Sequence, residues 1–310
     1  MKILTSDDLI IQKLPEVRAT YYFTDGESVL FAGMTSNLFA RITRLSEMRE
    51  DDEKIKELWE KSLDLTYDIR LKDIDSLVWY KSLLKNYTPY YNDYINIWEN
   101  YVYLGISYEE VPFIAVKDNT QTDHLYLGPF RSRFFLQDIL SIFSKYLKLP
   151  NCSDKQFPCE LLEDKSCLGY CLDIKPDELR ELFGSTFLSY KNSLPEILNK
   201  AFQEYSDNLE FIKAEEVRIE TKLILKYYKY LNFLTKTKSL NKIVKSDGIR
   251  YNIEKGLIAS VAGEDCFDYS EQNRDIPYRD NELYALNKNQ LDERWIVFEF
   301  LESLKNNVDN

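Results

Sequence analysis

The stretch VLFAGMTSNLFARI (residues 29–42) decides the fold of the N-terminal part of the chain. Residues 29–32 are apolar and read as a short strand, which Gly33 ends at a tight turn. Thr35-Ser36-Asn37 then supplies side chains that cap helices, and the apolar spacing of residues 38–42 predicts a helix. The stretch therefore places polar groups at the end of a strand, where binding and catalytic side chains often lie.

The surrounding segments complete a compact α/β unit of about a hundred residues. ATYYF (19–23) and VLFA (29–32) form a predicted hairpin around Asp25-Gly26. The segments that follow are a surface helix in 51–64, an alternating strand at 65–71, and a helix that Asp73 or Asp75 is expected to cap and that stops before Thr88-Pro89.

Beyond this unit the pattern predicts more helix than strand. A second hairpin is expected from 111–118 and 124–130, an amphipathic helix at 133–147, and a helical hairpin within 176–236 that breaks near Asp207-Asn208. Strands turning at Asp247-Gly248 and Lys255-Gly256 occupy 242–263, before a C-terminal helix. The predicted class is α/β (α+β), a small mixed sheet with helices, then a cysteine segment, a helical hairpin and a small α+β region. The predicted domains are 1–98, 99–195, 196–238 and 239–310.

Composition limits the classes of function. The chain has 310 residues, 44% hydrophobic and 30% charged, which is typical of globular proteins. It has no run of eighteen apolar residues and no signal-peptide pattern, so we expect a cytoplasmic protein with no membrane partner. The net charge of −12 argues against general affinity for nucleic acid but does not exclude a local basic face. The only histidine, His124, is expected at a surface or strand edge, and it cannot supply a multi-histidine metal site.

Four of the five cysteines fall within CSDKQFPCELLEDKSCLGYC, as Cys152, Cys159, Cys167 and Cys171. Such clustering in a reducing compartment favours thiolate ligation of a metal over disulfides. The spacing leaves room for an iron–sulfur cluster or a zinc ion. Buried free thiols are the alternative, and isolated Cys266 reads as structural.

These motifs, in this order, resemble the N-terminal half of the UvrC family, the nuclease subunit of bacterial nucleotide excision repair, and its shorter Cho-type relatives. LPEVRATYYF and VLFAGMTSNLFARI are similar to the two strands and the helix of a GIY-YIG nuclease domain. SLLKNYTPYYN, YLGPF and PCELLEDKSCLGYC resemble later family segments, and LEFIKAEEVRIE (209–220) resembles a weakened UVR motif. The resemblance covers roughly residues 10–235 and implies an iron–sulfur cluster, of the 4Fe-4S type, or zinc on the cysteines.

The resemblance implies site residues one position at a time. Tyr21 and Arg41 match the first tyrosine and the arginine of the GIY-YIG site. Gly33, Asn37 and Asn92 are the implied substrate-binding positions.

Three positions depart from the family. Phe31 stands where a second tyrosine is expected, Met34 replaces a lysine, and Tyr80 replaces the glutamate that binds a divalent metal. A neutral phenol is a poor ligand for Mg²⁺ or Mn²⁺, and Asp75 lies about 140° around the helix from Tyr80.

The sequence therefore predicts a degenerate GIY-YIG site in a UvrC-like, metal- or cluster-binding scaffold. The alternatives are an active endonuclease that uses Mg²⁺ or Mn²⁺ to cut one strand of DNA, and an interaction module without metal or DNA. The implied partners are DNA and a UvrB-like protein that binds the 198–230 helical hairpin.

Overall fold

The computed structural model describes residues 2–4, 11, 13–69, 72–93, 95, 97–109, 112–121, 124–149, 159–169, 172, 175–188, 194–263, 269–270 and 284–306. The strands are β1 (Lys2–Leu4), β2 (Ala19–Thr24), β3 (Val29–Thr35), β4 (Asp64–Asp68), β5 (Val102–Ser107), β6 (Ile114–Lys117), β7 (His124–Phe130), β8 (Lys242–Ser246), β9 (Ile249–Glu254), β10 (Leu257–Ala262), β11 (Tyr269–Ser270) and β12 (Tyr284–Ala285). The helices are α1 (Leu38–Glu47), α2 (Glu53–Lys61), α3 (Asp73–Tyr87), α4 (Arg133–Leu147), α5 (Glu160–Glu163), α6 (Pro176–Leu188), α7 (Leu194–Asp207), α8 (Phe211–Thr237) and α9 (Leu291–Asn306). Within these ranges no helix combines the length and the apolar character that a membrane span needs.

The predicted mixed class is confirmed, but one predicted strand pairing is wrong. β6 and β7 do not form a hairpin with each other, because β5 lies between them and pairs antiparallel with both. The apolar pattern identified the two strands correctly. It carried no information on β5, which is buried along its whole length and lacks the alternation that marks a half-exposed strand.

The contacts divide the chain into two compact units. The first contains the described residues of Met1–Ile97, Ser239–Asp275 and Asp292–Asn310, and the second contains those of Trp98–Lys238 and Ile276–Leu291. The C-terminal segment thus belongs with the N-terminal one, although some 140 residues separate them in sequence. The predicted division into four domains stays a prediction.

In the first unit a four-stranded sheet of order β1-β4-β2-β3 has helices on both faces. Alternate residues of β2 point to opposite faces, as strand geometry requires. Tyr21 and Phe23 pack with buried residues of α1 and α2. Thr20 and Tyr22 face α3 instead, and the Thr20 hydroxyl donates a 3.0 Å hydrogen bond to the Ser76 carbonyl.

Helix α3 is covered on two sides, which explains why polar residues do not mark a solvent face along it. Leu83 packs towards the first sheet. Ile74, Leu77 and Val78 pack against the C-terminal sheet, order β11-β10-β9-β8, and against α9. The helix is therefore the common core element of the N-terminal and C-terminal segments.

The second unit packs a sheet of order β12-β7-β5-β6 with helices α4 and α6–α8. Its aromatic core includes Phe143 and Phe187, whose ring centroids are 4.6 Å apart, and Tyr227, which stacks on Phe130. Helices α7 and α8 form the predicted helical hairpin. His124, for which the sequence predicts a surface or strand-edge position, is the first residue of β7 and is buried, so the surface alternative is wrong.

Candidate functional site

The hydroxyl of Tyr21 reaches the edge of the first sheet because Gly33 has no side chain. The two residues are direct partners across β2 and β3, and Tyr21 is fully buried. A Cβ atom at Gly33 would lie 2.4 Å from both Cζ and the hydroxyl oxygen of Tyr21. Position 33 therefore accepts only glycine without moving the tyrosine ring, since real Cβ atoms do not approach so closely.

Arg41 meets this hydroxyl from α1. The helix begins after Asn37, whose Oδ1 accepts a 2.9 Å hydrogen bond from the Ala40 amide and fixes the first turn. Arg41 Nε then donates a 3.1 Å hydrogen bond to the Tyr21 hydroxyl. The structure thus brings together the two residues that the family resemblance implies as retained catalytic matches.

Asn92 holds the edge of β3 from a short 3₁₀ turn, Tyr90–Asp93. Its Nδ2 donates to the Ala32 carbonyl at 2.7 Å, and its Oδ1 accepts from the Ala32 amide at 2.8 Å. One side-chain amide therefore pairs with β3 as a neighbouring strand would. Asn37 and Asn92 have structural partners here, and their roles in substrate binding stay predictions.

Tyr80 lies beside these residues on α3. Burial raises the pKa of its phenol to about 12, and the nearby Tyr21 adds to the increase. A side-chain hydrogen bond with Asn92 and the positive charge of Arg41 act in the opposite direction. Tyr21, Arg41, Tyr80 and Asn92 therefore form one group, called the remnant site below, in which Tyr80 is a neutral phenol at physiological pH.

The other two departures from the family pattern contribute no polar group to the remnant site. Phe31 is 3% exposed, and its ring centroid lies 6.2 Å from that of Tyr21 and 6.3 Å from that of Phe23. Met34 packs at the margin of the cluster between α3 and the C-terminal sheet. Both positions are occupied by packing residues.

Tyr21, Arg41, Tyr80 and Asn92 do not themselves supply the set of hard oxygen ligands, carboxylates included, that a divalent cation such as Mg²⁺ prefers. Tyr21 and Tyr80 offer phenols, and both amide atoms of Asn92 are bonded to Ala32. The carboxylates considered from sequence point elsewhere: Asp73 pairs with Arg18, and Asp75 accepts a 3.2 Å hydrogen bond from the Tyr251 hydroxyl. Among the described residues, no three His, Cys, Asp or Glu side chains form a metal-sized group.

Sequence reasoning missed the contribution of the C-terminal helix. Asp292, at the start of α9, is close enough for its charge to raise the pKa of Tyr80 further. The next residue, Glu293, forms a buried 2.7 Å ion pair with Lys81, which follows Tyr80 on α3. More than 200 residues separate Lys81 from Glu293 in sequence, so no local pattern predicts their contact.

The structure describes two of the four clustered cysteines. Cys159 precedes α5 and is partly exposed, whereas Cys167 is buried and its Sγ accepts a 3.3 Å hydrogen bond from the Gly169 amide. Cys152 and Cys171 lie outside the described residues. The predicted four-cysteine ligand set is therefore not tested.

Comparisons with known proteins agree on one family, although no protein-family model matches the chain. UvrABC system protein C of Fervidobacterium nodosum is 24% identical over 248 residues, which cover 78% of this chain and 41% of that protein. Its counterpart in Caldicellulosiruptor saccharolyticus is 25% identical over 280 residues, 86% of this chain and 43% of that protein. The chain is a relative of UvrC.

This UvrC relative spans less than half the length of the curated proteins that it matches. Among solved structures, it is similar to the GIY-YIG N-terminal endonuclease domain of UvrC from Thermotoga maritima bound to its catalytic divalent cation, magnesium. That match has 21% identity and a TM-score of 0.25, and it covers 28% of this chain and 99% of the domain.

Proposed function

We propose that this UvrC relative is a factor of nucleotide excision repair that has lost phosphodiester cleavage and acts as a partner-binding scaffold. The observation that carries the proposal is the buried, neutral phenol of Tyr80. Its phenol stands where the resemblance places a metal-binding glutamate, and burial raises its pKa to about 12. A neutral phenol supplies neither the charge nor the second oxygen that a carboxylate gives to a divalent cation.

The cost for catalysis follows from the chemistry of phosphate. Charge that develops on the phosphate during cleavage is stabilised by a bound metal by several kcal/mol. Phe31, which lacks the hydroxyl of the expected tyrosine, also removes a group that could orient water or pass a proton. Arg41 remains to contact a phosphate, and the proposal assigns it to binding.

The test is a nicking assay on supercoiled DNA with Mn²⁺, in the wild type and in a restored variant, Tyr80→Glu with Phe31→Tyr. We expect no nicking by the wild type, and metal-dependent nicking by the restored variant that Arg41→Ala abolishes. A thermal melt of each variant shows whether a variant without nicking activity is still folded. Nicking by the wild type that Arg41→Ala removes would overturn the proposal.

An active endonuclease is the second candidate, and the retained 3.1 Å contact between Arg41 and Tyr21 favours it. In that case Asp292 is the carboxylate to examine, because its charge acts on Tyr80. Asp292→Asn would then abolish nicking by the wild type. Under the degenerate-site proposal, Asp292→Asn has no activity to remove.

For the cysteine segment we propose a structural iron–sulfur cluster or zinc ion. The support is the clustering of four cysteines and the backbone hydrogen bond to the buried Cys167 sulfur, of the kind that orients a metal ligand. Because ligand binding is coupled to folding, Cys167→Ser should lower both metal content and melting temperature, whereas Cys266→Ser should leave the metal content unchanged. The metal content is measured by iron, sulfide and zinc analysis of each protein after anaerobic purification. Unchanged metal content and melting in Cys159→Ser and Cys167→Ser would contradict the proposal.

For the helical hairpin we propose binding of a UvrB-like protein at the turn between α7 and α8. The support is a group of exposed apolar side chains there: Leu209, Phe211 and Ile212 are 72%, 65% and 80% exposed. A calorimetric titration with purified UvrB should lose most of its affinity in the Phe211→Ala, Ile212→Ala variant. Ile243→Ala, at a similarly exposed position elsewhere, is the control. No binding by the wild type would contradict this part of the proposal.

A further inference from the structure

The second half of α8 has a charge opposite to that of the whole chain. Residues 221–238 contain five lysines and no acidic residue, in a protein of net charge −12. Lys222, Lys226 and Lys229 are exposed and follow the i, i+4, i+7 spacing of one helix face. They extend over about 10 Å of the helix axis.

Helix α4 lies against this face and adds aromatic side chains to it. Lys226 Nζ is 5.1 Å from the ring centroid of Phe135, at the start of α4. The neighbouring Phe134 is 77% exposed, and Leu225, beside Lys226 on α8, is 58% exposed. Phe134 is therefore an exposed ring one residue along α4 from the phenylalanine that Lys226 contacts.

The acidic groups near this face are mostly neutralised. Glu220 accepts hydrogen bonds from Lys145 Nζ at 2.7 Å and from the Tyr146 hydroxyl at 2.5 Å. Glu215 pairs with Arg218 one helical turn away. Asp138 on α4 is an exposed carboxylate. The face therefore keeps a net positive charge.

We infer that Lys222, Lys226, Lys229 and Phe134 bind single-stranded nucleic acid. Lysine ammonium groups neutralise backbone phosphates, and an exposed aromatic ring stacks on an unpaired base. A duplex does not offer a base face to Phe134, which is why the inference commits to a single strand. The inference extends the proposed function by naming a surface that binds a partner. The surface lies in one compact unit and Arg41 lies in the other, so the inference does not depend on the remnant site.

The test measures fluorescence anisotropy of a labelled oligo(dT) of roughly 20 nucleotides, which exceeds the ~4–16 nucleotides of typical single-strand sites. The full chain should bind, and Lys222→Glu, Lys226→Glu, Lys229→Glu should lose at least about tenfold in affinity. The slope of log Kd against log salt should fall by about 2, at roughly 0.7 for each lost phosphate contact. The triple lysine-to-arginine variant should keep binding, because it keeps the charge.

Two controls distinguish binding at this surface from nonspecific electrostatic attraction to nucleic acid. The Lys13→Glu, Lys56→Glu, Lys305→Glu variant has the same change in net charge at other exposed positions. It should weaken oligo(dT) binding much less than the first triple variant does. Phe134→Ala should weaken oligo(dT) binding at least about fivefold while leaving the salt slope unchanged. An unlabelled duplex of equal length should compete less well than the single strand.

Several results would overturn the inference. One is the absence of oligo(dT) binding at low salt, and another is equal loss in the two lysine-to-glutamate triples. Equal competition by duplex or polyglutamate, with no effect of Phe134→Ala, would show a nonspecific polyanion response. Loss of oligo(dT) binding in Arg41→Ala, with no loss in the Lys222→Glu, Lys226→Glu, Lys229→Glu variant, would assign the nucleic acid to the remnant site, and this outcome leaves the nicking test of the proposed function unaffected.

Discussion

The buried ion pair between Lys81 and Glu293 should dominate the stability of the first unit. The two side chains are 5% and 10% exposed, and Lys81 Nζ lies 2.7 Å from Glu293 Oε1. The same oxygen accepts a 2.8 Å hydrogen bond from the Ile258 amide, and Lys81 donates to the Ile258 carbonyl at 3.1 Å. Helix α3, strand β10 and helix α9 therefore meet at one polar contact inside an apolar core.

Lys81→Met should destabilise the unit strongly, because it leaves a buried carboxylate without its positive partner. The expected loss is about 3–5 kcal/mol in the free energy of unfolding. For a compact unit of about 150 residues this corresponds to a decrease of roughly 6–20 °C in melting temperature. Urea unfolding followed by tryptophan fluorescence is suitable, since Trp79 and Trp295 lie on the two helices that the pair joins.

A second substitution separates the charge from the hydrogen bond. In Lys81→Met with Glu293→Gln, the glutamine oxygen still accepts from the Ile258 amide and no charge remains buried. The double variant should therefore be more stable than Lys81→Met alone, by about 2 kcal/mol or more.

The matched control is Lys305→Met, also on α9. Lys305 and Glu302 are equally 2.7 Å apart but are 56% and 39% exposed, so we expect a change below about 1 kcal/mol. A cost below 1 kcal/mol for Lys81→Met, or a double variant as unstable as the single one, would refute the reasoning.

Three further substitutions test the remnant site by its stability. Gly33→Ala, which places a methyl group 2.4 Å from the phenol opposite, should cost about 1–3 kcal/mol in a urea titration, whereas Gly184→Ala meets no atom within 4 Å and should cost nothing. Asn92→Ala removes two hydrogen bonds to β3 and should cost about 1–3 kcal/mol, with exposed Asn100→Ala as the neutral comparison. Because the pKa of Tyr80 rises from 10.0 to about 12, unfolding releases its proton in that range, so the wild type should lose more stability than Tyr80→Phe between pH 10 and 12. Equal alkaline melting curves for these two proteins would contradict that prediction.

The sequence determined the elements of the fold and most of the remnant site. The turn signal at Asp25-Gly26 and the cap at Asn37 act within a few residues, so local physics fixes the β2-β3 hairpin and the start of α1. Tyr21 and Arg41, which lie on those elements, are within hydrogen-bond distance of each other. Such features depend on short-range geometry, which a single sequence encodes directly.

Tertiary structure decided what lies next to these elements. Nothing local indicates that β5 separates β6 from β7, or that α9 returns to place Asp292 near Tyr80 and Glu293 against Lys81. Strand order and helix docking depend on which apolar faces cover one another, and several partners satisfy the same hydrophobic pattern. The buried pair, the raised pKa of Tyr80 and the contact of the lysine row with α4 all follow from contacts between elements distant in the chain. The sequence supplied the side chains, but only their packing decided which of them share an environment.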